Sequence, residues 1–470
     1  MPVNKDYYML AGSSGQGDSL YELTNSARFT DYNSAELQIS NAPDLDAGAG
    51  GKLTYSFWIK RVDLGETQTI LKSDQNSDNY IWISIQSSDQ LSVDAQVGGS
   101  SIFYLRTTFV LRDVAAWYHV VLNVDTSQSV QTERVKLFLN GLRVTDLDQN
   151  GYPSLNQDVG PIYEHNNNPL YIGEQDDTGN FSSYYLAEFH SMDNYAYGPE
   201  YFGEFTDENI WIPKQVSGVS YGTGGWYLNF QNASELGTDT SGASNTFSEI
   251  GGLATDDQFI DTPTNNFCTL NPLSNRTARF FDGNLNADIG SNVTTHHTFG
   301  STMGIHPSAT GKYYFEIQWT SSNDSGNVDI MGFADLTAGH TFIGNALNTG
   351  SGYGIGYKVG TGNVYAGSGW TTNSFTFAGP VASNYYGFAY DASTGRLYIY
   401  QNGSALNSGD HVATFDKRST IGPGGSIYNS NKRYNFFFGA QTSLTNSNFN
   451  YAPPTGYGPI NSQRLGNDYG

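Results

Sequence analysis

A phrase that occurs twice, far apart in the chain, most constrains the fold. The stretches HVVLNVDTSQSVQTERVKLFLNG (119–141) and YYGFAYDASTGRLYIYQNG (385–403) each contain an alternating apolar run, an Asp followed by Ser or Thr, a second alternating run and Asn-Gly. Alternation predicts strands with one buried face, and Asn-Gly supplies the positive φ angles of a tight hairpin turn. Each half should therefore contain the same hairpin, either because the two halves hold related sandwiches or because hairpin chemistry has converged.

Composition extends this prediction to the whole chain. The 470 residues include 54 Gly, 33 Tyr and 27 Phe, and only 14% are charged. Strands favour aromatic residues and turns favour Gly, Asn, Asp and Ser, whereas helices favour Ala, Leu, Glu and Lys. The sequence predicts an all-β protein with two antiparallel β-sandwiches joined by an irregular segment.

Charge and cysteine content exclude several classes of protein. The net charge of −23 argues against nucleic acid and anionic membranes as partners, because both are bound mainly through Lys and Arg. A single cysteine, Cys268, cannot form an intrachain disulfide. The start MPVNKDYYML lacks the basic and apolar regions of a signal peptide, and no segment approaches the ~20 apolar residues of a membrane span. We expect a protein that is made and folded in a cytoplasm.

The distribution of strand patterns predicts the domain boundaries. Residues 1–25 are expected to form an arm that can serve as an anchor, and residues 26–205 the first sandwich. Residues 206–265 lack sustained alternation and are predicted to connect the domains. The second sandwich is predicted over 266–455, followed by a loose tail over 456–470.

The first half resembles the laminin G and concanavalin A-like lectin domains. The motifs are TYSFWIKR (54–61), AAWYHVVLNVD (115–125), VKLFLNGLRV (135–144), LYIG (170–173) and YYLAEFHSMDNYAYGPE (184–200). They match the family's strand that begins near Trp-His, its strand ending in Asn-Gly and its late Gly-x-Leu-x-Glu-Val run. The resemblance implies a jelly-roll sandwich of two antiparallel sheets.

The second half resembles the SPRY sandwich through GKYYFEIQW (311–319), VDIMGFAD (328–335) and the later hairpin at 385–403. The two modules with their connecting sequence resemble bacteriophage virion proteins, especially those of marine and cyanobacterial phages. That resemblance implies a tail fibre, head fibre or capsid decoration on the virion, made in the host cytoplasm. Its partners would be other virion proteins, copies of itself, with a trimer favoured, and a host-surface glycan.

Catalytic residues are not predicted. Sandwich glycosidases need paired carboxylates on one strand face, where neighbours two apart point the same way. Glu188 and Glu316 each lack a carboxylate two residues away, although a partner from another strand is not excluded by sequence. The protein is predicted not to be an enzyme, and no cofactor other than calcium is predicted.

One acidic loop resembles the calcium loop of pentraxins. In YIGEQDDTGNF (171–181), the side chains of Glu174, Gln175, Asp176 and Asp177 offer the hard oxygen ligands that calcium prefers. The loop SDQNSDN (73–79) is expected to bring Asp74 and Asp78 close to them. The chain lacks the pentraxin disulfide and His-x-Cys run, so an acidic surface loop is the alternative.

Aromatic residues in loops are the predicted ligand contacts. Sugars stack on Trp and Tyr rings while polar groups bind the hydroxyls, and the candidates are Trp370, Tyr365, Tyr163 and Tyr353. Three functions follow as hypotheses. The first is a virion protein that binds host-surface glycan, the second is a capsid decoration or assembly protein without receptor binding, and the third is a polysaccharide-degrading enzyme.

Overall fold

Antiparallel strands account for nearly all regular structure in the described chain, as the sequence predicts. The computed structural model describes residues 21–40, 51–76, 78–160, 169–175, 179–274, 278–288, 297–319, 329–337, 355–358, 364–366, 370–372, 381, 383–427 and 433–469. At residues 74–76, 356–358, 365–366, 370 and 469 only the backbone is described. Within these ranges the single α-helix is α1, Ser462–Tyr469. No described helix has the length and apolar character needed to cross a membrane.

The described residues form two compact units. The N-terminal unit comprises 21–113 and 117–264, and the C-terminal unit comprises 114–116 and 265–469.

The N-terminal unit contains the first eighteen strands of the described chain. They are β1 (Ser26–Phe29), β2 (Glu36–Ile39), β3 (Lys52–Arg61), β4 (Gln68–Asn76), β5 (Asn79–Ile85), β6 (Leu91–Val97), β7 (Ser100–Thr107), β8 (Trp117–Asp125), β9 (Val135–Leu139), β10 (Leu142–Arg143), β11 (Leu147–Gly151), β12 (Leu170–Ile172), β13 (Tyr184–Asp193), β14 (Gly203–Phe205), β15 (Trp211–Pro213), β16 (Trp226–Leu228), β17 (Ser248–Ile250) and β18 (Gln258–Phe259). Short 3-10 turns lie at Asp31–Asn33, Gln131–Glu133, Pro199–Tyr201 and Thr255–Asp257.

Sixteen of these strands build two sheets that face each other across one core, and β14 pairs with β15 in a separate two-stranded sheet. The first has the order β10-β9-β8-β3-β13-β1-β18, with β16 also paired to β13, and the second has the order β11-β7-β6-β5-β4-β12-β2-β17. Alternate residues of β3, including Tyr55, Phe57 and Ile59, are fully buried, as are Ile81 and Ile83 of β5. Burial of these apolar side chains provides the main driving force for folding of this unit.

The opposite face of the first sheet is also covered. Phe202 packs with Val121 and Met192 of that sheet, and the partly buried Tyr197 and Tyr221 close the cluster. The sheet is therefore buried on both faces along β8 and β13, where every residue is buried.

The predicted connector at 206–265 requires correction, because residues 206–264 lie within the N-terminal unit. Trp226–Leu228 pairs with β13, Ser248–Ile250 with β2, and Gln258–Phe259 with β1. Strands of two or three residues are too short to show alternation, so the sequence pattern did not reveal these pairings. Trp226 is fully buried against Phe189 and Phe247, and the Trp211 ring stacks on His119.

The C-terminal unit contains the remaining strands of the described chain. They are β19 (Arg279–Phe281), β20 (Asn286–Asp288), β21 (His297–Gly300), β22 (Lys312–Trp319), β23 (Ile330–Asp335), β24 (Ile355–Lys358), β25 (Val364–Ala366), β26 (Trp370–Thr372), β27 (Tyr385–Asp391), β28 (Arg396–Gln401), β29 (Ser404–Ala405), β30 (Ala413–Phe415), β31 (Ile421–Ile427) and β32 (Tyr434–Phe437). Further 3-10 turns lie at Pro272–Ser274 and Asn407–Gly409.

Two sheets form this unit as well. Their orders are β19-β20-β32-β22-β27-β28-β30-β26, with β29 paired to β28, and β21-β31-β23-β24-β25. Phe315 of β22 lies 5.1 Å from Phe388 of the same sheet and 5.2 Å from Phe333 of the other, centroid to centroid. Aromatic side chains from GKYYFEIQW and VDIMGFAD therefore join the two layers.

The prediction of a loose C-terminal tail over 456–470 also requires correction. Ser462 donates its backbone N–H to the Asn266 carbonyl at 2.7 Å, and helix α1 follows. Asp468 Oδ2 accepts a hydrogen bond from the Gly311 N–H at 3.0 Å and another from the Tyr313 hydroxyl. These specific contacts fix a segment whose Gly- and Pro-rich lead-in suggested mobility.

The repeated phrase forms the same hairpin twice. Asn140 and Gly141 have φ angles of +47° and +77°, and Asn402 and Gly403 repeat these values. The side-chain oxygen of Asn140 accepts the N–H of His119 at 2.8 Å, and that of Asn402 accepts the N–H of Tyr385 at 2.9 Å. In both units the Asn side chain thus joins the Asn-Gly turn to a neighbouring strand, β8 in the N-terminal unit and β27 in the C-terminal unit.

Candidate functional site

An open cleft lies at the end of strand β13 in the N-terminal unit. It has a volume of about 530 Å³ and is lined by residues 193–195, 219–223 and 241–243. This volume lies within the range of small-molecule sites in proteins. Its walls come from one strand end and two loops that follow later in the chain.

The first wall is a fixed turn that presents two exposed side chains, and the ring of one of them, Tyr195, stacks on the Tyr197 ring at 5.7 Å. Asn194 adopts a left-handed φ of +64° and donates its N–H to the Lys52 carbonyl at 3.1 Å. The Tyr195 carbonyl accepts the Thr54 hydroxyl at 2.8 Å. With the backbone anchored, the side chains of Asn194 and Tyr195 are exposed and make no hydrogen bond to any described residue.

The second wall approaches the strand so closely that it needs glycine. Gly222 has a φ of +70°, and a Cβ there would lie 2.5 Å from the Asp193 carbonyl oxygen. Asp193 donates its N–H to the Tyr221 carbonyl at 2.9 Å, and its Oδ2 accepts the Gly224 N–H at 3.1 Å. The buried Asp193 carboxylate therefore holds the floor of the cleft to this wall.

The third wall is a loop organised by one carboxylate. Asp239 Oδ1 accepts the N–H groups of Tyr227 at 2.9 Å and Ser241 at 2.8 Å. Its Oδ2 accepts the Ser241 hydroxyl at 3.0 Å and the Asn245 N–H at 2.7 Å. The Asn245 amide in turn donates to the carbonyls of Thr223 at 2.9 Å and Gly225 at 2.8 Å, which ties this loop to the second wall.

Tyr221 connects the cleft to a buried polar network. Its hydroxyl lies 2.9 Å from Nδ1 of His190, whose ring stacks on Tyr227 at 4.1 Å. The Tyr227 hydroxyl donates to Glu188 Oε1 at 2.7 Å, and Glu188 sits at a β-bulge with a φ of +49°. Burial raises the pKa of Tyr221, and nearby carboxylates raise it further, so its phenol stays protonated.

His119, a buried residue of β8, has a structural role. The Trp211 Nε1–H donates to its Nδ1 at 3.0 Å, and its Nε2 lies 2.9 Å from the Ser56 hydroxyl oxygen. Since indole can only donate, Nδ1 is unprotonated and Nε2 carries the proton. Burial lowers the pKa of His119 to about 3, with a contribution from His190, so the imidazole is neutral.

The cleft offers hydroxyl groups, an amide and an aromatic face around one open volume. Such groups bind hydroxylated ligands by donating and accepting hydrogen bonds while an aromatic ring packs against apolar CH groups. Among the described residues, no group of three or more His, Cys, Asp or Glu side chains is arranged to hold a metal ion. The chemistry of the cleft suits recognition of a polyhydroxylated molecule.

Of the four ligand contacts predicted from sequence, none is among the described residues that line the cleft. Tyr163 and Tyr353 are outside them, and for Tyr365 and Trp370 only the backbone is described, on β25 and β26 of the C-terminal unit. No described contact brings these four together, and their roles stay predictions.

The calcium prediction is only partly within the described chain. Asp176 and Asp177 lie outside it. Glu174 is buried, and its Oε1 accepts the Gly179 N–H at 2.8 Å. Gln175 donates its N–H to the Asn180 carbonyl at 3.3 Å. Calcium binding at this loop stays a prediction.

The strand register separates the backbone of Asp74 from Glu174, while any approach of Asp74 or Asp78 to Asp176 and Asp177 stays a prediction, because those two residues lie outside the described chain. In the antiparallel pairing of β12 with β4, Leu170 lies opposite Ser73 and Tyr171 opposite Lys72. Residues after Tyr171 therefore run toward Thr69, whose N–H donates to the Ser182 hydroxyl at 2.8 Å. Asp74 lies near the other end of β4, roughly 15 Å from Thr69 at about 3.3 Å per residue.

The cleft was not predicted from the sequence, although two local signals for it are present. SGVSYGTGG (217–225) combines glycines with an aromatic and hydroxyl groups, and DTSGASN (239–245) begins with an Asp that can cap its own loop. Both lie in the segment that was predicted to be a connector.

A family comparison places the fold of the N-terminal unit. Residues 31–196 match the model of the Concanavalin A-like lectin/glucanases superfamily. These residues form a lectin-like domain of the concanavalin and laminin G type. The match includes the first wall of the cleft, whereas the walls at 219–223 and 241–243 lie beyond it, so the cleft combines the lectin-like domain with later chain.

Solved structures with similarity to parts of the chain include the following three. The SPRY domain of human HERC1 is 13% identical and covers 37% of this chain and 99% of its own, with a TM-score of 0.29. A heptameric SAP-like pentraxin from Limulus polyphemus is 16% identical over 38% of this chain and 80% of its own, with a TM-score of 0.27. Domains LG4-5 of the mouse laminin alpha1 chain are 9% identical over 93% of this chain and 87% of their own, with a TM-score of 0.29. No curated protein matches the chain.

Proposed function

We propose that the N-terminal unit binds a glycan in the cleft at the end of β13. The single observation that carries this proposal is the pair of exposed side chains, Asn194 and Tyr195, held on an anchored turn of a lectin-like domain. Their backbone positions are fixed before any ligand arrives, so binding carries little cost in backbone conformational entropy.

Each wall has a part in this proposal. Tyr195, which is 38% exposed, provides a ring face for the CH groups of a sugar. Asn194 provides both a donor and an acceptor for hydroxyl groups. Ser220 and Ser241 place further hydroxyl groups around the same volume. This mixture of Tyr, Ser, Asn and Gly is typical of recognition surfaces in general.

A glycan array tests the proposal. The purified full chain is applied to an array of host-envelope and other oligosaccharides, beside the double variant Asn194→Ala/Tyr195→Ala. Tyr32→Ala serves as the matched control, because Tyr32 is 56% exposed and does not line the cleft. We expect reproducible signals for the wild type and Tyr32→Ala that the double variant loses. Absence of any glycan signal for the wild type, or equal signals for all three proteins, would overturn the proposal.

The biological setting that we propose is the surface of a bacteriophage virion. Support comes from the resemblance of the joined modules to virion proteins and from the acidic, nearly all-β composition. In this setting the protein runs no reaction and attaches the particle to its host through the cleft. Antibodies against the chain should label intact particles, and excess purified protein should block adsorption. Labelling without blocking would favour capsid decoration, and release of reducing sugar from host glycans would favour an enzyme.

A further inference from the structure

We infer that the cleft selects uncharged glycans and rejects anionic ones such as sialylated, uronic or sulfated sugars. This inference rests on the proposed glycan binding and adds the charge class of the ligand. It follows from the side chains that line the cleft and from the groups directly behind them.

The lining supplies no positive charge. Among the described residues that form the three walls there is no Lys, Arg or His. Carboxylate and sulfate groups are bound in proteins chiefly by Arg and Lys, whose charge-assisted hydrogen bonds are about twice as strong as neutral ones. An anionic sugar would therefore lose hydration in this cleft without gaining an ionic partner.

The charged groups that do surround the cleft are acidic. Asp193 forms its buried floor, and Asp239 organises the loop of the third wall. Glu188 lies behind Tyr221, close enough for its charge to raise the pKa of that phenol together with Asp239. Three carboxylates from separate elements therefore impose a negative potential on the open volume, and low-dielectric walls strengthen such a potential.

Nearby lysines are directed to other partners. Lys52 touches the cleft only through its backbone carbonyl, and its ammonium lies 3.9 Å from Asp125 Oδ2. Lys214 donates its ammonium to the Glu200 carbonyl at 3.2 Å. Neither ammonium belongs to the lining, so neither offsets the carboxylates at the site of binding.

Matched neutral and acidic sugars test the inference by calorimetric titration of the full chain. The pairs are lactose with 3′-sialyllactose, a galactose trimer with a galacturonate trimer, and the tightest neutral ligand of the array with its carboxylated form. We expect each neutral sugar that binds to do so at least tenfold more tightly than its acidic twin. We also expect the difference to shrink as salt is raised from 0.01 to about 0.5 M, because salt screens exposed charges.

A charge-introducing variant makes the test sharper. Thr223 is an exposed residue of the second wall, so Thr223→Arg adds a cation at the rim, and Thr223→Gln is its uncharged control. The preference for neutral sugars should be severalfold smaller in Thr223→Arg than in Thr223→Gln, which enlarges the same side chain without adding charge. Acidic sugars that bind the wild type as tightly as their neutral twins, or more tightly, overturn the inference while glycan binding stands. Failure of every sugar to bind overturns the proposed function itself.

Discussion

Asp239 and Asn245 are joined by a hydrogen bond of 2.7 Å from the backbone N–H of Asn245 to Oδ2 of Asp239. This contact closes the 239–245 loop on itself, and the Asn245 amide then binds two carbonyls of the neighbouring wall. The shape of the cleft therefore depends on a carboxylate that does not itself need to touch the ligand.

Replacement of Asp239 by Ala should loosen this loop. Four hydrogen bonds to the carboxylate are lost, and several of their donors are only partly accessible to water. We expect the free energy of unfolding to fall by about 1–3 kcal/mol and glycan affinity to fall severalfold. Urea unfolding and titration calorimetry measure the two effects. Asp256→Ala, at an exposed carboxylate, should change stability by less than about 0.5 kcal/mol, and equal effects of both variants would contradict the role of Asp239.

The ion pair between Lys60 and Asp261 should be costly to break. Their charged atoms lie 2.7 Å apart with side chains 1% and 2% exposed, and the Trp117 indole N–H donates to the same carboxylate at 3.1 Å. Lys60→Met leaves a buried, uncompensated carboxylate and should lower the free energy of unfolding by about 3–5 kcal/mol. The control Lys136→Met breaks a more exposed pair with Glu133 and should cost less than about 1 kcal/mol in the same urea titration.

The Lys60–Asp261 pair also shows which parts of the fold can be predicted from the sequence and which cannot. The alternation and Asn-Gly signals predicted β8, β9, β27 and β28, because those elements depend on nearby residues. Asp261 pairs with a lysine about two hundred positions earlier, and no local pattern encodes such a partner. The cleft was missed for the same reason, since its walls meet only after the sheets have formed.

Stability should depend on pH through His119. Its pKa is lowered to about 3 in the folded protein, while an unfolded His has a pKa near 6.5. Between these values the unfolded chain binds the extra proton, so this contribution is complete above pH 6.5 and declines as pH falls toward 3. The difference in unfolding free energy between wild type and His119→Gln should therefore shrink by up to about 1.4 kcal/mol per pH unit.

Wild type and His119→Gln must be compared because the titration of other groups changes the unfolding free energy with pH in the opposite direction. Burial raises the pKa of Asp63 and of Asp257 to about 6, so their carboxyl groups take up protons more readily in the folded state and favour folding as pH falls from 6 toward 4. These contributions cancel in the difference. Nitrogen NMR should show the His119 ring still neutral at pH 5, with its proton on Nε2. A protonated ring at that pH would contradict the burial argument.

Gly141 should tolerate no side chain. Its φ is +77°, and an added Cβ would overlap the Trp211 ring. Gly65 provides the matched control, since its φ is +78° and no atom lies within 4 Å of an added Cβ. Gly65→Ala should cost about 1–2 kcal/mol from backbone strain alone. We expect a larger loss for Gly141→Ala in thermal unfolding, and similar losses would show that the Trp211 contact is unimportant.

The affinity of Tyr195→Ala for the tightest neutral glycan of the array tests the central claim most directly. Tyr195 supplies the exposed ring of the cleft, and its loss should weaken binding by about tenfold, or roughly 1.4 kcal/mol, in titration calorimetry. Tyr32→Ala should bind as the wild type does, and both variants should unfold at wild-type temperatures. Unchanged affinity in Tyr195→Ala, with the fold intact, would contradict the assignment of the glycan to this cleft.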